Sequence, residues 1–352
     1  MRLTLEPWDP LYETSSLDML GAPHDHSDVD LGVELPVWRA VQTLRRVTRF
    51  RRLLFLDGRR RVEARVFAEW REGKIRHAAP GLLGTFAVGV AELDLERLVG
   101  SARILKAKPH RVVILGAGQT TEAVIISPIG SESGVLTFEP DSIPDEDDRK
   151  NGLLGRLQHL MREAEAQTAA EAHDGRPDTL LIVDGPLPYS GLGGVDSAVG
   201  YVKTLHDLRL PPAEQTTLTN LLAGQRTPVF LLRAGTSHRY SWFLRTAPSE
   251  SFHQSLSGVV RLESDARHGL DTAVELADWS CQALPRLASR AYRDPRAPQQ
   301  LTPVSALEAN LGRLMGDASI IRRRVSRYLH NEAKRESPLF PFQPGEATVE
   351  RT

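Results

Sequence analysis

Residues 52–58, Arg-Leu-Leu-Phe-Leu-Asp-Gly, and residues 179–185, Thr-Leu-Leu-Ile-Val-Asp-Gly, read alike: four apolar residues, then Asp57-Gly58 or Asp184-Gly185. A short apolar run closed by a turn signal predicts a buried strand. A carboxylate after such a run is costly to bury unless a charged group meets it. Before the second run, residues 152–172 carry Leu153, Leu157, Leu160, Met161 and Ala164 at helical spacing. Buried strands linked through a helix pair in parallel, so both aspartates are expected at the carboxyl-end edge of one sheet. That edge is where α/β sheets place their sites. Two carboxylates there repel unless a divalent cation lies between them, and the following glycines leave room for a close ligand. This geometry suits two-metal phosphodiester hydrolysis. The plainer reading is that each Asp-Gly is only a turn closing its strand.

Outward from this pair, residues 1–35 are polar and irregular, and 36–50 (PVWRAVQTLRRVTRF) predict a helix. The first acidic strand is expected to close at Asp57-Gly58, with RRVEARVFAEW (60–70) alternating as a second strand. After an REGK turn the chain returns through 75–93 as one or two strands. Strand-like runs at 111–117, 122–127 and 134–139 suggest a β-rich insertion or sheet extension over about 98–145. Beyond the second acidic strand, VDSAVGYVKTLHDLRL (195–210) predicts a helix carrying Lys203. Three strands are then expected within 227–264, a long amphipathic helix from 270, two helices over about 303–334, and a disordered tail from 335.

The 352 residues are 41% apolar and 25% charged, as in a globular protein with a sizeable core. No run of about 18 apolar residues predicts a membrane span, and the first residues lack the layout of a secretory signal. Cys281 is the lone cysteine and has no disulfide partner in the chain, which fits a cytoplasmic setting. The net charge is −1, yet 38 of the 44 basic residues are Arg, with runs at Arg45–Arg52, Arg59–Arg61 and Arg322–Arg327. These read as solvated helix faces or as a local phosphate-binding groove.

The wording of the motifs adds a resemblance. FLDGRRRVEARV, LLIVDGPLPY, GYVKTLHD, RTPVFLL, YSWFLR and YRDPRAPQQLTPVSALEANL occur in that order over about residues 36–320. They resemble the blocks of the NurA family of DNA end-processing nucleases. The resemblance implies an α/β fold with a ribonuclease H-like mixed sheet, flanking helices and insertions, within one nuclease domain over 36–334. It implies manganese-dependent DNA cleavage (magnesium being the alternative, two ions suspected), a homodimer, and a HerA-like hexameric ATPase as partner in double-strand break repair. Asp57 and Asp184 match the family's metal-binding aspartates. The family's glutamate on the preceding helix has three candidates: Glu165, favoured beside Met161 at the edge of the apolar stripe, and the alternatives Glu163 and Glu171. Tyr292 matches a family tyrosine. Where the family has a histidine this chain has Gln300, which cannot act as acid or base, and Asp294 is the candidate replacement ligand. Lys203 is a candidate phosphate contact, and Trp242 and Arg245 are candidates to face DNA. For each of these, a core or solvated-surface role is the alternative.

Gln300 keeps a second function open: a weakly active, nuclease-derived scaffold that holds DNA and the motor. A phage-defence nuclease is a third. LGAGQT (115–120) lacks the residues of a nucleotide-binding loop. His24-Asp25-His26 with Asp28 and Asp30 reads as a solvated loop, and Cys281 as a packed thiol.

Overall fold

The computed structural model describes residues 2–5, 28–43, 47–97, 101–128, 134–144, 152–188, 192, 195, 197–203, 205, 208–234, 237–248, 255–290 and 292–335. The expected tail after 335 and the His24-Asp25-His26 cluster lie outside them. Among the described residues the chain forms a mixed α/β fold. Its strands are β1 (Arg2–Leu5), β2 (Val29–Asp30), β3 (Arg52–Glu72), β4 (Ile75–Asp94), β5 (Arg103–Leu115), β6 (Val124–Ile126), β7 (Leu136–Ser142), β8 (Thr179–Asp184), β9 (Ala198–Val202), β10 (Phe230–Ala234), β11 (Ser237–Arg245) and β12 (Val259–Asp265). Five helices flank them: α1 (Gly152–Ala172), α2 (Pro212–Asn220), α3 (Leu270–Ala283), α4 (Thr302–Met315) and α5 (Ala318–Arg335).

All twelve strands join one sheet in the order β2-β10-β11-β12-β9-β8-β3-β4-β5-β7-β6, with β1 paired on β3. The centre is the parallel trio β3, β8 and β9, in which Leu56 faces Val183 and Asp184 faces Tyr201. Every residue of Leu53–Leu56 and Leu180–Val183 is buried. That is why both runs are continuously apolar rather than alternating. Leu54, Leu56, Leu181 and Val183 pack under α1. Leu53, Phe55, Leu180 and Ile182 point the other way, into a core shared with α3 and α4.

Four expectations are corrected. β3 does not close at Asp57-Gly58 but runs on to Glu72, paired with β4 throughout. A bulge between Val62 and Ala64 turns the side-chain alternation over, so that Ala64, Val66 and Ala68 meet Ile321, Val325 and Leu329 of α5. Residues 195–210 hold strand β9, not a helix: all five residues are buried, and Gly200 has no room for a Cβ against Glu263 and the backbone of Leu187. No helix occupies the described residues of 36–50. Val41 bridges Arg226, and Trp38 packs edge-on against Phe230 while its Nε1 donates to the Glu214 carbonyl, so tertiary pairing overrides local propensity. The N-terminal segment is not wholly irregular, since β1 and β2 join the sheet.

The 98–145 region extends the sheet beyond β4 through β5, β7 and β6. None of the described helices is long and apolar enough to cross a membrane.

Candidate metal centre

Asp57 sits mid-strand in β3, directly opposite Gly89 of β4. A Cβ on Gly89 would lie 3.0 Å from side-chain carbons of both Leu307 and Leu311. The glycine therefore lets α4 settle onto the sheet at this point. The helix packs through Val304, Leu307, Leu311 and Met315, and Glu308 lies at the edge of that stripe, carried down to Asp57. Asp184 closes β8, one register step past the Leu56–Val183 pair. There the chain turns away at Gly185, which takes φ +104° and donates its N–H to Tyr201 O at 2.9 Å. One oxygen from each of Asp57, Asp184 and Glu308 lies within 4.8 Å of the others.

Two of these carboxylates are incompletely satisfied. Oδ2 of Asp57 and Oδ1 of Asp184 are buried without a hydrogen-bond partner. Buried acceptors are almost always paired, so a bare oxygen calls for an explanation. Burial first, then the charges of Asp184 and Glu308, raise the Asp57 pKa well above the usual carboxylate range. Burial also raises Asp184, against the pull of Lys203. Glu308 differs: burial pushes it up, but its bonds to Arg296 and the charge of Lys203 outweigh that and hold it low. Arg296 grips both oxygens of Glu308 and reaches Asp294 at 3.1 Å. A cluster of hard oxygen donors with bare, buried lone pairs fits a divalent cation such as magnesium, manganese or calcium. Asp57, Asp184 and Glu308 are the residues that could hold such an ion.

Asp57 and Asp184 thus come together as the sequence predicts. Glu165 comes close by another route. It projects from α1, and a Cβ on Gly58 would lie 2.3 Å from its Oε1. Gly58 is therefore the cradle of the Glu165 carboxylate, which burial raises to a pKa of about 7. The three clustered oxygens nevertheless come from Asp57, Asp184 and Glu308, not from Glu165. Glu163 and Glu171 point to solvent, paired with His159 and Lys106. Tyr292 is 74% exposed, with Arg293 against its ring.

Asp294 is committed to Arg296 and to Ser305 Oγ (2.7 Å), which hold it at a pKa of about 2 against burial. It braces Arg296 rather than supplying a ligand. Gln300 is fully buried, and its Oε1 accepts from Lys203 Nζ at 2.8 Å. Lys203 leaves β9 on the site's side of the sheet and also meets Asp184 Oδ2 at 2.6 Å.

Trp242 and Arg245 do not face a channel. Trp242 is wholly buried with its Nε1 on Ser280 Oγ, and Arg245 donates to the carbonyls of Ser257, Leu218 and Ser255. At least one described arginine in each run has a partner within the protein: Arg51 pairs Asp94, Arg61 pairs Glu63, and Arg324 caps the carbonyls of Ile126 and Gly134. Cys281 is buried, and burial pushes its thiol to about 11, as befits a packed side chain.

Glu308 is the residue that sequence reasoning passed over. Its signal was a carboxylate at the rim of an apolar helical stripe, three residues before Leu311 and inside the quoted block ending EANL. No family model and no curated protein sequence matches the chain.

Proposed function

We propose that this chain is a divalent-metal-dependent nuclease that trims DNA ends. The observation that carries the reading is the pair of bare, buried carboxylate oxygens on Asp57 and Asp184, set side by side on parallel neighbouring strands with Glu308 above them. The strand order supports a ribonuclease H-like core. β3, β4 and β5 form an antiparallel meander, α1 precedes β8, and β8 and β9 add in parallel beside β3. The motif resemblance to the NurA family supplies the substrate class, the preference for manganese, the homodimer and the HerA-like ring ATPase as partner.

A bound metal polarises the phosphoryl group and lowers the pKa of an attacking water. The chain's own contribution is to hold Asp57 and Asp184 rigid on buried strands, and to fix Glu308 through Arg296 and Asp294. Purified protein should degrade an end-labelled DNA duplex with Mn²⁺ and not with a chelator, faster when a HerA-like ATPase and ATP are present. No cleavage under any of these conditions, from folded protein, would defeat the proposal.

One observation favours the second reading, a scaffold with weak activity. Glu308 has both oxygens on Arg296, and Lys203 stands inside the cluster. Tight DNA binding without metal-dependent cleavage would select it.

A further inference from the structure

Lys203 is placed in the carboxylate cluster by register. Tyr201 pairs with Asp184 across β9 and β8, and Lys203, two residues on, points to the same side. Its ammonium meets Asp184 Oδ2 at 2.6 Å, Gln300 Oε1 at 2.8 Å and Glu308 Oε1 at 3.7 Å. Its side chain is only 18% exposed. Gln300 is oriented for this: Oε1 also accepts from Leu301 N at 3.2 Å, which leaves the amide carbonyl turned to the lysine. An ammonium has three donors and no acceptor, so this is a seat built for a cation.

Resting on the divalent-site reading, we propose that Lys203 is the cluster's built-in counter-ion, balancing the carboxylates when no metal is bound and opposing the metal as it binds. Three carboxylates gathered in a buried site repel one another, and one tethered positive charge relieves part of that repulsion. A divalent ion on the bare oxygens of Asp57 and Asp184 arrives beside that charge and is opposed by it. The lysine's flexible four-carbon stem allows the ammonium to withdraw, so the two cations compete for Asp184. Lys203 then sets the metal concentration at which the site fills. A purely structural lysine predicts the opposite sign, because its removal would loosen Asp184 and weaken metal binding.

The test uses the full chain, with Mn²⁺ alone as the probe, read by calorimetric titration and by thermal unfolding with no DNA present. Lys203→Met should melt below the unsubstituted protein in chelator, bind Mn²⁺ at least about tenfold more tightly, and show the larger Mn²⁺-induced rise in Tm. Lys203→Arg, which keeps the charge, should bind Mn²⁺ as the unsubstituted protein does. Equal or weaker binding by Lys203→Met overturns the inference. If Lys203→Met folds only when Mn²⁺ is added, the metal is replacing the ammonium, which supports it; a variant that stays unfolded in millimolar Mn²⁺ overturns it. If the unsubstituted protein and Lys203→Met are both folded and neither binds Mn²⁺, the divalent-site reading falls and takes this inference with it. Binding by the unsubstituted protein thus reports on the site, and the ratio between the two proteins reports on Lys203.

Discussion

Two of the buried ionic clusters among the described residues are built to different rules. Around Arg226, which is 1% exposed, every charge is met. The guanidinium takes both oxygens of Glu34 (2.8 and 2.7 Å) and Oδ1 of Asp278, Glu34 also accepts from Val229 N, and Asp278 from Thr43 Oγ1. Around Asp57 the cluster is left open. Lys203 meets Asp184 and, at 3.7 Å, Glu308; of the three carboxylates Arg296 grips only Glu308; and Asp57 and Asp184 keep bare oxygens. The first arrangement ties the 28–43 segment to β10 and α3 and is complete as it stands. The second leaves two buried carboxylate oxygens without a hydrogen-bond partner. A closed network is an element of the fold, whereas an open one of like charge marks a place where a cation is expected.

The largest effect that separates them is on catalysis. Asp57→Asn or Asp184→Asn should lower Mn²⁺-dependent cleavage by roughly a thousandfold or more, since each removes an anionic ligand while keeping the side-chain shape. A labelled-duplex assay at saturating Mn²⁺ measures it, and near-normal rates in either variant would end the comparison. Arg226→Met should do the reverse. It should destabilise the chain by about 3–5 kcal/mol in a denaturant titration, because Glu34 and Asp278 lose their shared partner. Once folded, that variant should bind Mn²⁺ normally.

How far these clusters were legible follows from the physics of each piece. Asp57 and Asp184 stood out because strands buried on both faces leave an unbroken apolar run, and the acid at its end is conspicuous. The two Asp-Gly pairs nevertheless behave differently. Gly185 takes a positive φ and ends its strand, whereas Gly58 lies inside a continuous one and is glycine to admit Glu165. The letters are identical, and only the packing of α1 tells them apart. AVGYV was misread because five residues carry little period, and its neighbours suggested a helix. Glu308 and Arg226 were hidden for a different reason. What makes them matter is the partner that each meets, and Glu308 comes from a helix about 250 positions away along the chain from Asp57. Trp242 and Arg245 show the converse: residue types that suit DNA contacts are equally suited to a core and to capping carbonyls.

The site's second carboxylate layer gives a pH signature. Glu165 is raised from 4.5 to about 7, chiefly by burial, with the charge of Asp184 adding to it and Arg162 opposing. The folded chain thus holds this proton more tightly than the unfolded chain does. The stabilisation is fully present below about pH 4.5 and is lost as pH rises through about 7. The full span corresponds to about 3 kcal/mol. Glu165→Gln should remove that part of the slope, leaving the variant the more stable protein at pH 8 and about equal at pH 4. Chemical denaturation at the two pH values, in chelator, measures it. A slope that Glu165→Gln leaves unchanged would place the Glu165 carboxylate in water rather than against Gly58.

The smallest effect is the most diagnostic of an open cluster. In a closed network, neutralising one member removes an attraction and weakens the fold. Oδ2 of Asp57 is buried and bare, and burial with the repulsion of Asp184 and Glu308 outweighs the pull of Lys203 on its carboxylate. Its raised pKa means that the metal-free chain pays for ionising this group as pH climbs past the ordinary carboxylate range. Asp57→Asn should therefore stabilise the metal-free protein at neutral pH, by about 1–2 kcal/mol, the scale of relieving one unsatisfied buried polar group. Saturating Mn²⁺ should reverse the order. Only the native carboxylate gains from the ion, and a ligand that binds the folded state raises stability with its concentration. Thermal unfolding of both proteins in chelator and in Mn²⁺ gives four melting temperatures. The expected pattern is a crossing: the variant higher without metal, the unsubstituted protein higher with it. Parallel shifts, or a variant that is lower throughout, would mean that Asp57 is held by contacts within the protein, and that this cluster is as closed as the one around Arg226.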